Sequence, residues 1–343
     1  MKNLTKLGLS ALCGTLASVT SANAGSMDVV GNAHMTWTSL GGEVTGNPLG
    51  MKTNMSFIGN GELDGGQTFS VTLAHNDKNA FSSTNITLNT NSLGTVQLST
   101  AEGGGGIGGY DDNMPRAFEE VWDAGVGTNI NLQKGVGSST NLNWTSPSIL
   151  GGTKLKLAYS PQNDGTQPND KSVGGASSSL LEEGYDIVLD IASDTPINLF
   201  IGASETQQEL TRTDLENKHN DHQEAIAGLK VSIGPLSVGG QISGERTGAA
   251  ATSAVEYYAN SSIGVAFNIN DSLSISYGEM RSMQGSNIQT EEGNSVDMQG
   301  ESWQLAYTLG GASLKFAKTD IHNPKYTKDT SSEGKVLSLS LAF

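Results

Sequence analysis

Apolar and polar residues alternate along most of this chain with a period of two, the period at which side chains change face in a β-strand. The segment KVLSLSLAF shows this clearly, because Leu337, Leu339 and Leu341 share one face while Ser338 and Ser340 share the other. The pattern predicts a two-faced strand whose leucine face meets an apolar medium. Sixteen segments carry the alternation: residues 33–37, 55–63, 68–73, 85–89, 95–99, 141–144, 154–159, 185–191, 197–203, 227–233, 236–242, 261–269, 273–277, 302–309, 313–317 and 336–343.

The connections between these segments alternate between short and long. Seven short turns contain Gly, Pro, Asn or Asp, which favour tight turns, and they are residues 64–66, 91–94, 150–152, 193–196, 234–235, 270–271 and 310–311. The other eight connections are predicted to be long polar loops, such as residues 161–183, 205–221, 279–300 and 319–334. Short periplasmic turns and long outer loops are typical of outer-membrane barrels. The predicted fold is therefore all-β, a 16-stranded antiparallel transmembrane β-barrel.

The low average hydropathy of the chain, −0.27, is compatible with this fold. In a closed barrel only every second residue faces lipid, so no long apolar run is needed. The last strand would pair with the first to close the barrel, and Phe343 would lie at the periplasmic interface, where aromatic girdles occur. A secreted soluble β-protein is the alternative, but its strands would need a second apolar face buried in a core.

The first residues have the pattern of a secretory signal peptide. Lys2 and Lys6 precede an apolar stretch, residues 7–19, and the small residues Ala22 and Ala24 form the pattern of a cleavage site directly after Ala24. A membrane helix is the alternative, but Ser, Thr and Gly dilute the stretch, and about 20 apolar residues are needed to span a bilayer. We therefore expect residues 1–24 to be removed and residues 25–343 to form the barrel.

The chain is acidic, with 19 Lys and Arg against 35 Asp and Glu and a net charge of −16. Removal of the segment with Lys2 and Lys6 would make the net charge −18. Nucleic acid is excluded as a partner, because binding to phosphates requires a basic face. The composition is compatible with cations as partners, or with divalent cations bridging to anionic surfaces.

A local motif carries a family resemblance. In NWTSPSILGGTKLKLAYSP an aromatic residue, Trp144, precedes Ser146 and Pro147, and a turn at Gly151 leads into a strand that ends in tyrosine. With the signal peptide, the sixteen strands and the terminal phenylalanine, the chain resembles the trimeric general porins of Gram-negative bacteria. Thr153 stands where these porins carry an aromatic residue after the turn glycine. The resemblance implies a homotrimer in outer-membrane lipid.

The third outer loop, about residues 100–127, is similar to an alphaproteobacterial porin loop that folds inward and narrows the pore. The glycine-rich run 103–109 would let the backbone leave the wall. Tyr110, Met114, Phe118 and Trp122 recur every four residues, which predicts a short helical turn packed on the wall. The charged residues of the loop would then face the lumen: Asp111, Asp112, Arg116, Glu119, Glu120 and Asp123. The alternative is a solvated acidic loop on the surface.

Basic partners for this loop are expected on inward-facing strand positions. Since Leu155, Leu157 and Tyr159 would face lipid, Lys154 and Lys156 would point into the lumen. They are our best candidates, because two lysines two residues apart share one face of a strand. The same argument places three further residues inward, and these are Lys230, Lys315 and His34. Opposite charges across a narrow point create a focused field, so Lys154 and Lys156 complete the predicted pore constriction. The alternative for each inward base is an ordinary wetted residue of the lumen.

Other sites are less favoured by the sequence. The spacing Gly103, Gly105 and Gly108 fits a dinucleotide motif only in spelling, because no βαβ unit surrounds it. Adjacent Asp111 and Asp112 could bind Ca²⁺. A second group could hold a metal ion but is interpreted as a solvated loop, and it comprises His219, His222, Asp214, Glu216, Asp221 and Glu224. We predict neither a metal site nor a cofactor.

The function that these features favour is passive diffusion of small hydrophilic solutes and ions through an outer-membrane channel. No spacing of Ser, His and Asp suggests a hydrolase, so no enzymatic activity is expected. Cations should be preferred, because the acids of the third loop outnumber the candidate bases. A substrate-specific channel or an adhesive outer-membrane barrel is the alternative.

Overall fold

The computed structural model of this chain describes most of residues 26–342. The described ranges are residues 26–41, 47–63, 65–76, 79–100, 105–137, 139–149, 152–163, 181–191, 194–208, 221–248, 255–286 and 295–342. The expected signal peptide and Phe343 lie outside them. No helix among these residues has the length and apolar composition required to cross a bilayer.

Sixteen antiparallel strands form a closed barrel in which each strand pairs with its neighbours in sequence and β1 pairs with β16. This confirms the predicted fold class, and each predicted segment lies on its own strand. The strands are β1 (Met27–Gly41), β2 (Leu49–Glu62), β3 (Thr68–Asn76), β4 (Asn79–Asn89), β5 (Thr95–Thr100), β6 (Asn141–Thr145), β7 (Lys154–Ser160), β8 (Leu181–Ile191), β9 (Ile197–Gln208), β10 (His222–Ile233), β11 (Leu236–Arg246), β12 (Val255–Asn268), β13 (Leu273–Ser286), β14 (Ser295–Leu309), β15 (Ala312–His322) and β16 (Ser331–Ala342).

Most large apolar side chains of the barrel face outward, and most inward side chains away from the loop contacts are small or polar. On β8, Ile187 and Leu189 are 50% and 37% exposed, whereas Val188 between them is fully buried. On β16, Leu339 lies opposite Met35 of β1 and Leu314 of β15, so an apolar row crosses the closure of the barrel. Since lipid rather than a protein core covers this outer face, alternation at low average hydropathy suffices to build the fold.

Several strands extend further from the membrane than the sequence pattern predicted. β13 ends only at Ser286 and β14 already begins at Ser295, so most of the predicted loop 279–300 is strand. Above the apolar band both faces of a strand meet water, and the alternation disappears although backbone pairing continues. The second outer connection is also shorter than predicted, because β3 ends at Asn76 and β4 begins at Asn79. The prediction of eight long loops is wrong at this position.

Charged side chains mark the outer limit of the apolar band on β13–β16. On the outer face of β15, Leu314 and Phe316 are followed by Lys318, whose ammonium nitrogen lies 3.1 Å from the Asp320 carboxylate. Two further ion pairs occupy neighbouring strands, Arg281 with Asp297 and Lys335 with Glu333. Charges are tolerated near the interface but not in the centre of the hydrocarbon layer. The lipid-facing part of these strands therefore lies on the side of the short turns.

Candidate pore constriction

The loop between β5 and β6 contacts inward-facing side chains around much of the barrel wall. Near its start, the backbone N–H of Ile107 donates to the Asp186 carboxylate of β8 at 2.9 Å. Further along, the backbone N–H of Ala117 donates to the Ser276 hydroxyl of β13 at 2.9 Å. The backbone N–H of Phe118 donates to the side-chain oxygen of Gln304 at 2.9 Å. The described part of the third loop thus lies inside the barrel.

The loop then returns along the same wall. We call residues 105–126 the outgoing part of the loop and residues 131–137 its return arm. The return arm forms hydrogen bonds with the part of the wall near which the outgoing part begins. The backbone N–H of Lys134 donates to Glu224 of β10 at 2.8 Å, and the backbone N–H of Val136 donates to Asp186 at 3.2 Å. Because β6 begins only at Asn141, the whole connection covers residues 101–140 and is longer than the predicted 100–127.

The predicted helical turn from Tyr110 to Trp122 is wrong. The loop contains a short 3₁₀ helix at Gly106–Tyr110, and residues 111–126 are turns and bends. Pro115 lacks the backbone N–H that helix continuation requires, and it also restricts the preceding residue. Tyr110 and Met114 are nevertheless buried, as expected of residues packed on the wall.

Two apolar clusters hold the loop on the wall. The first joins Ile107 and Tyr110 to wall residues of three strands, Val188, Phe200 and Ile226. The second joins Val121 and Val126 to Met280, Met298 and Ile321. Ile107 and the two valines lie outside the four-residue periodicity, so the sequence pattern missed three of these four loop anchors.

Glycine on the wall lets the loop approach closely. A Cβ atom at Gly264 of β12 would lie 2.5 Å from the backbone oxygen of Pro115. A Cβ atom at Gly278 of β13 would lie 3.0 Å from a methyl group of Val121. Because glycine has no side chain, the wall leaves room at these two positions for the outgoing part of the loop to pack against the strands.

The acidic residues of the loop lie close together. Glu119, Glu120 and Asp123 each place a carboxylate oxygen within 4.8 Å of those of the other two. Arg116 forms an ion pair with Asp112 at 3.1 Å and a second one with Glu120. The Arg116 guanidinium thus pairs with two carboxylates, and the stretch 111–123 keeps more acidic than basic side chains.

Burial changes the ionisation of these acids. Burial, reinforced by Asp112, raises the pKa of Asp111 to about 6. Burial also raises the pKa of Glu120 to about 7, although Arg116 opposes the shift. The pKa of Glu119 is raised mainly by burial and by Asp123, whereas the charges of Lys315, Arg116 and Lys52 act to lower it. The negative charge of the loop therefore depends on pH near neutrality.

Two lysines on the wall act on one of these acids, Glu119. Lys315 of β15 places its ammonium nitrogen 5.4 Å from the centre of the Phe118 ring. Lys52 of β2 lies directly opposite His34 of β1 in the strand register. Both lysines lower the pKa of Glu119 by their charge. Sequence reasoning missed Lys52, although its parity relative to the outward Met51 and Met55 would have placed it inward.

Lys154 and Lys156 occupy a different part of the wall. The Lys156 ammonium nitrogen lies 4.6 Å from the centre of the Tyr110 ring. The Tyr110 hydroxyl donates to the Asp190 carboxylate at 2.8 Å, and Lys154 lies opposite Asp190 in the strand register. The acid beside both lysines is thus Asp190, a wall residue that sequence reasoning also missed. Lys230 lies on β10 opposite Gly239.

The prediction that His222 and Glu224 belong to a solvated loop is wrong. Both residues are part of β10, and Glu224 is only 4% exposed. His222 Nε2 lies 3.0 Å from an oxygen of Glu245 on β11. His219, Asp214 and Glu216 of the same predicted group lie outside the described residues.

A model of one protein family matches nearly the whole chain. This family is described as Gram-negative porin, and the match covers residues 8–334. The chain belongs to the Gram-negative porin family. Its members are channel-forming barrels of the outer membrane, so the fold and the family agree for this porin. Comparison with curated protein sequences gives no match.

Solved structures with the same fold superpose on this porin along its length. Salmonella typhi OmpF in complex with daunomycin has a TM-score of 0.67 at 12% identity, covering 93% of this chain and 98% of that chain. The anion-selective porin from Comamonas acidovorans has a TM-score of 0.63 at 11% identity, with coverages of 93% and 99%. The trimer form of OmpT from Vibrio cholerae has a TM-score of 0.61 at 10% identity, with coverages of 94% and 100%. At these identities the likeness shows the fold.

Proposed function

We propose that this porin lets small hydrophilic solutes and ions diffuse passively across the outer membrane and that its constriction prefers cations. The proposal depends on one observation. The carboxylates of Glu119, Glu120 and Asp123 are grouped on a loop inside the barrel, and Lys52 and Lys315 are the basic wall residues that act on Glu119. Solutes would pass between this acidic group and the basic wall, sorted by size and charge, with no covalent step and no cofactor.

The preference for cations follows from the local charge balance. In the stretch 111–123 of the loop, five carboxylates, those of Asp111, Asp112, Glu119, Glu120 and Asp123, stand against one cation, Arg116. Charges on the outer surface are screened beyond about 8 Å at physiological salt. Charges in a narrow lumen with low-dielectric walls are screened much less, so the loop should dominate selectivity.

The test is the zero-current potential of the purified porin in a planar bilayer under a salt gradient. A potential of the sign that cation permeation produces supports the proposal. A potential of the opposite sign would reject cation preference, and the absence of conductance from a correctly folded sample would reject the open channel.

We also propose that the porin is exported with removal of residues 1–24 and that it assembles as a homotrimer in outer-membrane lipid. The residue pattern of the first 24 positions supports cleavage. The solved trimer form of OmpT, which shares the fold, supports the trimer. The mass of the N-terminal peptide of protein purified from outer membranes would reveal the cleavage.

A further inference from the structure

Three potential metal ligands meet on the inner wall of the barrel, away from the loop acids. His222 and Glu224 lie two residues apart on β10 and so share the inward face. Glu245 of β11 lies directly opposite Glu224 in the strand register. One imidazole nitrogen and two carboxylate oxygens of these residues lie within 4.8 Å of one another.

The two glutamates are an unfavourable pair unless a cation accompanies them. Glu224 is 4% exposed, and the side chain of Glu245 is 10% exposed. Like charges directly opposite on neighbouring strands repel, and burial strengthens the repulsion. The only side chain of opposite charge recorded in contact with them, within the described residues, is His222, at 3.0 Å from Glu245. A single imidazole compensates two carboxylates only in part.

Hydrogen-bond donors of the third loop hold these carboxylates in place, as groups around metal ligands commonly do. The backbone N–H groups of Lys134 and Gly135 donate to the two oxygens of Glu224, at 2.8 and 2.6 Å. The side-chain amide of Asn131 donates to Glu245 Oε2. Each carboxylate oxygen has a second lone pair, so these bonds leave it able to bind a metal ion. All three donors belong to the return arm of the third loop.

The arm also contains a buried polar group that lacks a partner. Gln133, next to Lys134, is 1% exposed, and neither atom of its side-chain amide has a hydrogen-bond partner within the part of the chain that the structure describes. Buried amides of this kind are normally satisfied by protein, by ordered water or by an ion with its water. The return arm, whose residues donate to Glu224 and Glu245, thus contains a buried amide with incomplete hydrogen bonding.

We propose that His222, Glu224 and Glu245 bind a divalent transition-metal ion such as Zn²⁺ and that the ion fastens the return arm of the third loop to the barrel wall. One nitrogen and two oxygens from protein suit Zn²⁺, which accepts three such ligands and keeps a fourth position for water. Ca²⁺ and Mg²⁺ prefer oxygen ligands throughout. Ligand atoms around a tetrahedral Zn²⁺ lie about 3.4 Å apart, so only small side-chain rotations are needed.

The position of the return arm inside the pore would then depend on the concentration of the metal ion. Glu224 would bridge the ion and the backbone of Lys134 and Gly135, and Glu245 would bridge the ion and Asn131. With the ion bound, opening of the return arm would require breaking coordinate bonds as well as hydrogen bonds. This inference rests on the position of the loop inside the barrel, not on the proposed cation preference, so the two can fail separately.

The first test is Zn²⁺ binding by the folded full-length barrel in detergent, measured by equilibrium dialysis and elemental analysis. We expect one Zn²⁺ per chain that excess Ca²⁺ or Mg²⁺ does not displace. His222→Ala and the isosteric Glu245→Gln should each weaken binding by about 10-fold or more. His34→Ala is the matched control, because His34 is inward-facing on β1, away from the cluster, and it should bind as wild type does. Equal Zn²⁺ binding by wild type, His222→Ala and Glu245→Gln would overturn the proposal, as would the absence of binding by wild type.

The second test separates ligation from simple folding of the arm. Asp186→Asn weakens the attachment of Val136 and Ile107 but replaces none of the three ligands, so the variant should still bind Zn²⁺. Amide hydrogen exchange at Lys134 and Gly135 should slow on addition of Zn²⁺ in wild type and stay unchanged in Glu245→Gln. Loss of Zn²⁺ binding in Asp186→Asn equal to that in Glu245→Gln, or exchange that does not respond to Zn²⁺ in wild type, would contradict the proposal.

Discussion

Lys315 on β15 holds its ammonium nitrogen 5.4 Å from the centre of the Phe118 ring, in the middle of the third loop. This contact joins a wall residue to the loop stretch that carries the acids, since Glu119 and Glu120 follow Phe118 directly. A cation over an aromatic face is attracted by the ring quadrupole. The side chain is therefore held beside the acids, where its charge acts on Glu119.

Neutralising the acidic group of the loop should reduce cation preference. The triple variant Glu119→Gln, Glu120→Gln and Asp123→Asn replaces three acidic side chains by amides of the same size, and we expect the cation-to-anion permeability ratio above neutral pH to fall several-fold. The measurement is the zero-current potential under a salt gradient. The control replaces three outward-facing acids, Glu279, Glu301 and Glu333, by Gln. An unchanged potential in the loop variant, or an equal shift in the control, would place the selectivity outside this loop.

Removing the wall base should act in the opposite direction. Lys315→Met keeps an apolar stem beside Phe118 but removes the positive charge that acts on Glu119, so the porin should become more cation-selective. Lys335→Met is the matched control, because Lys335 lies on the neighbouring strand, faces outward and pairs with Glu333. A shift toward anions in Lys315→Met would contradict the charge arrangement proposed for the constriction.

Cation preference should weaken as the pH falls through neutrality. Glu120, with a pKa raised to about 7, and Asp111, with a pKa raised to about 6, are ionised above these values and neutral below them. Lowering the pH from about 8 to about 5.5 therefore removes negative charge from the loop, in a range where ordinary carboxylates, with a pKa of about 4, stay ionised. The zero-current potential measured against pH should show this change in wild type and lose most of it in the double variant Asp111→Asn and Glu120→Gln. A flat profile in wild type would contradict the expected ionisation.

A side chain at Gly264 should displace the loop from the wall. A Cβ atom there would approach the Pro115 backbone oxygen to 2.5 Å, so Gly264→Ala forces a shift that we expect to cost about 1–3 kcal/mol. The single-channel conductance should change, because the outgoing part of the loop moves. Gly240→Ala on the adjacent strand is the control, since its Cβ would meet Ile263 at an ordinary 3.7 Å. Equal conductance and stability of the two variants would argue against close packing at Gly264.

The porin should be a trimer in mild detergent. Native mass spectrometry of protein extracted from membranes should give three times the chain mass, with dissociation to single chains on heating. At the small outward residue Gly59 of β2, an added Cβ would meet nothing within 4 Å, and such an open position suits close contact with a neighbour. A single-chain mass under conditions that keep the barrel folded would exclude the trimer.

The sequence by itself determined the strands and the face that each side chain occupies. Alternation is a local property, and it placed the leucines of β16 outward and Lys156 and Lys315 inward without knowledge of any partner. The short turns were also readable, because their residues are chosen for local backbone angles. Gly94 illustrates this, since its φ of 85° favours glycine and a Cβ there would lie 2.1 Å from the Thr145 backbone oxygen.

Only the tertiary structure decided the path of the third loop and the partners of each charge. The loop is fixed by contacts with distant wall residues, such as Ala117 with Ser276 and Lys134 with Glu224. No local periodicity encodes these contacts. The sequence pattern therefore predicted a helical turn across Pro115, which the structure does not contain, and it did not identify Lys52 as an inward base. It also assigned His222 and Glu224 to a loop, because above the apolar band a paired strand is polar on both faces. Sequence periodicity reports the medium that a side chain faces, whereas the closure of the barrel sets which side chains meet inside it.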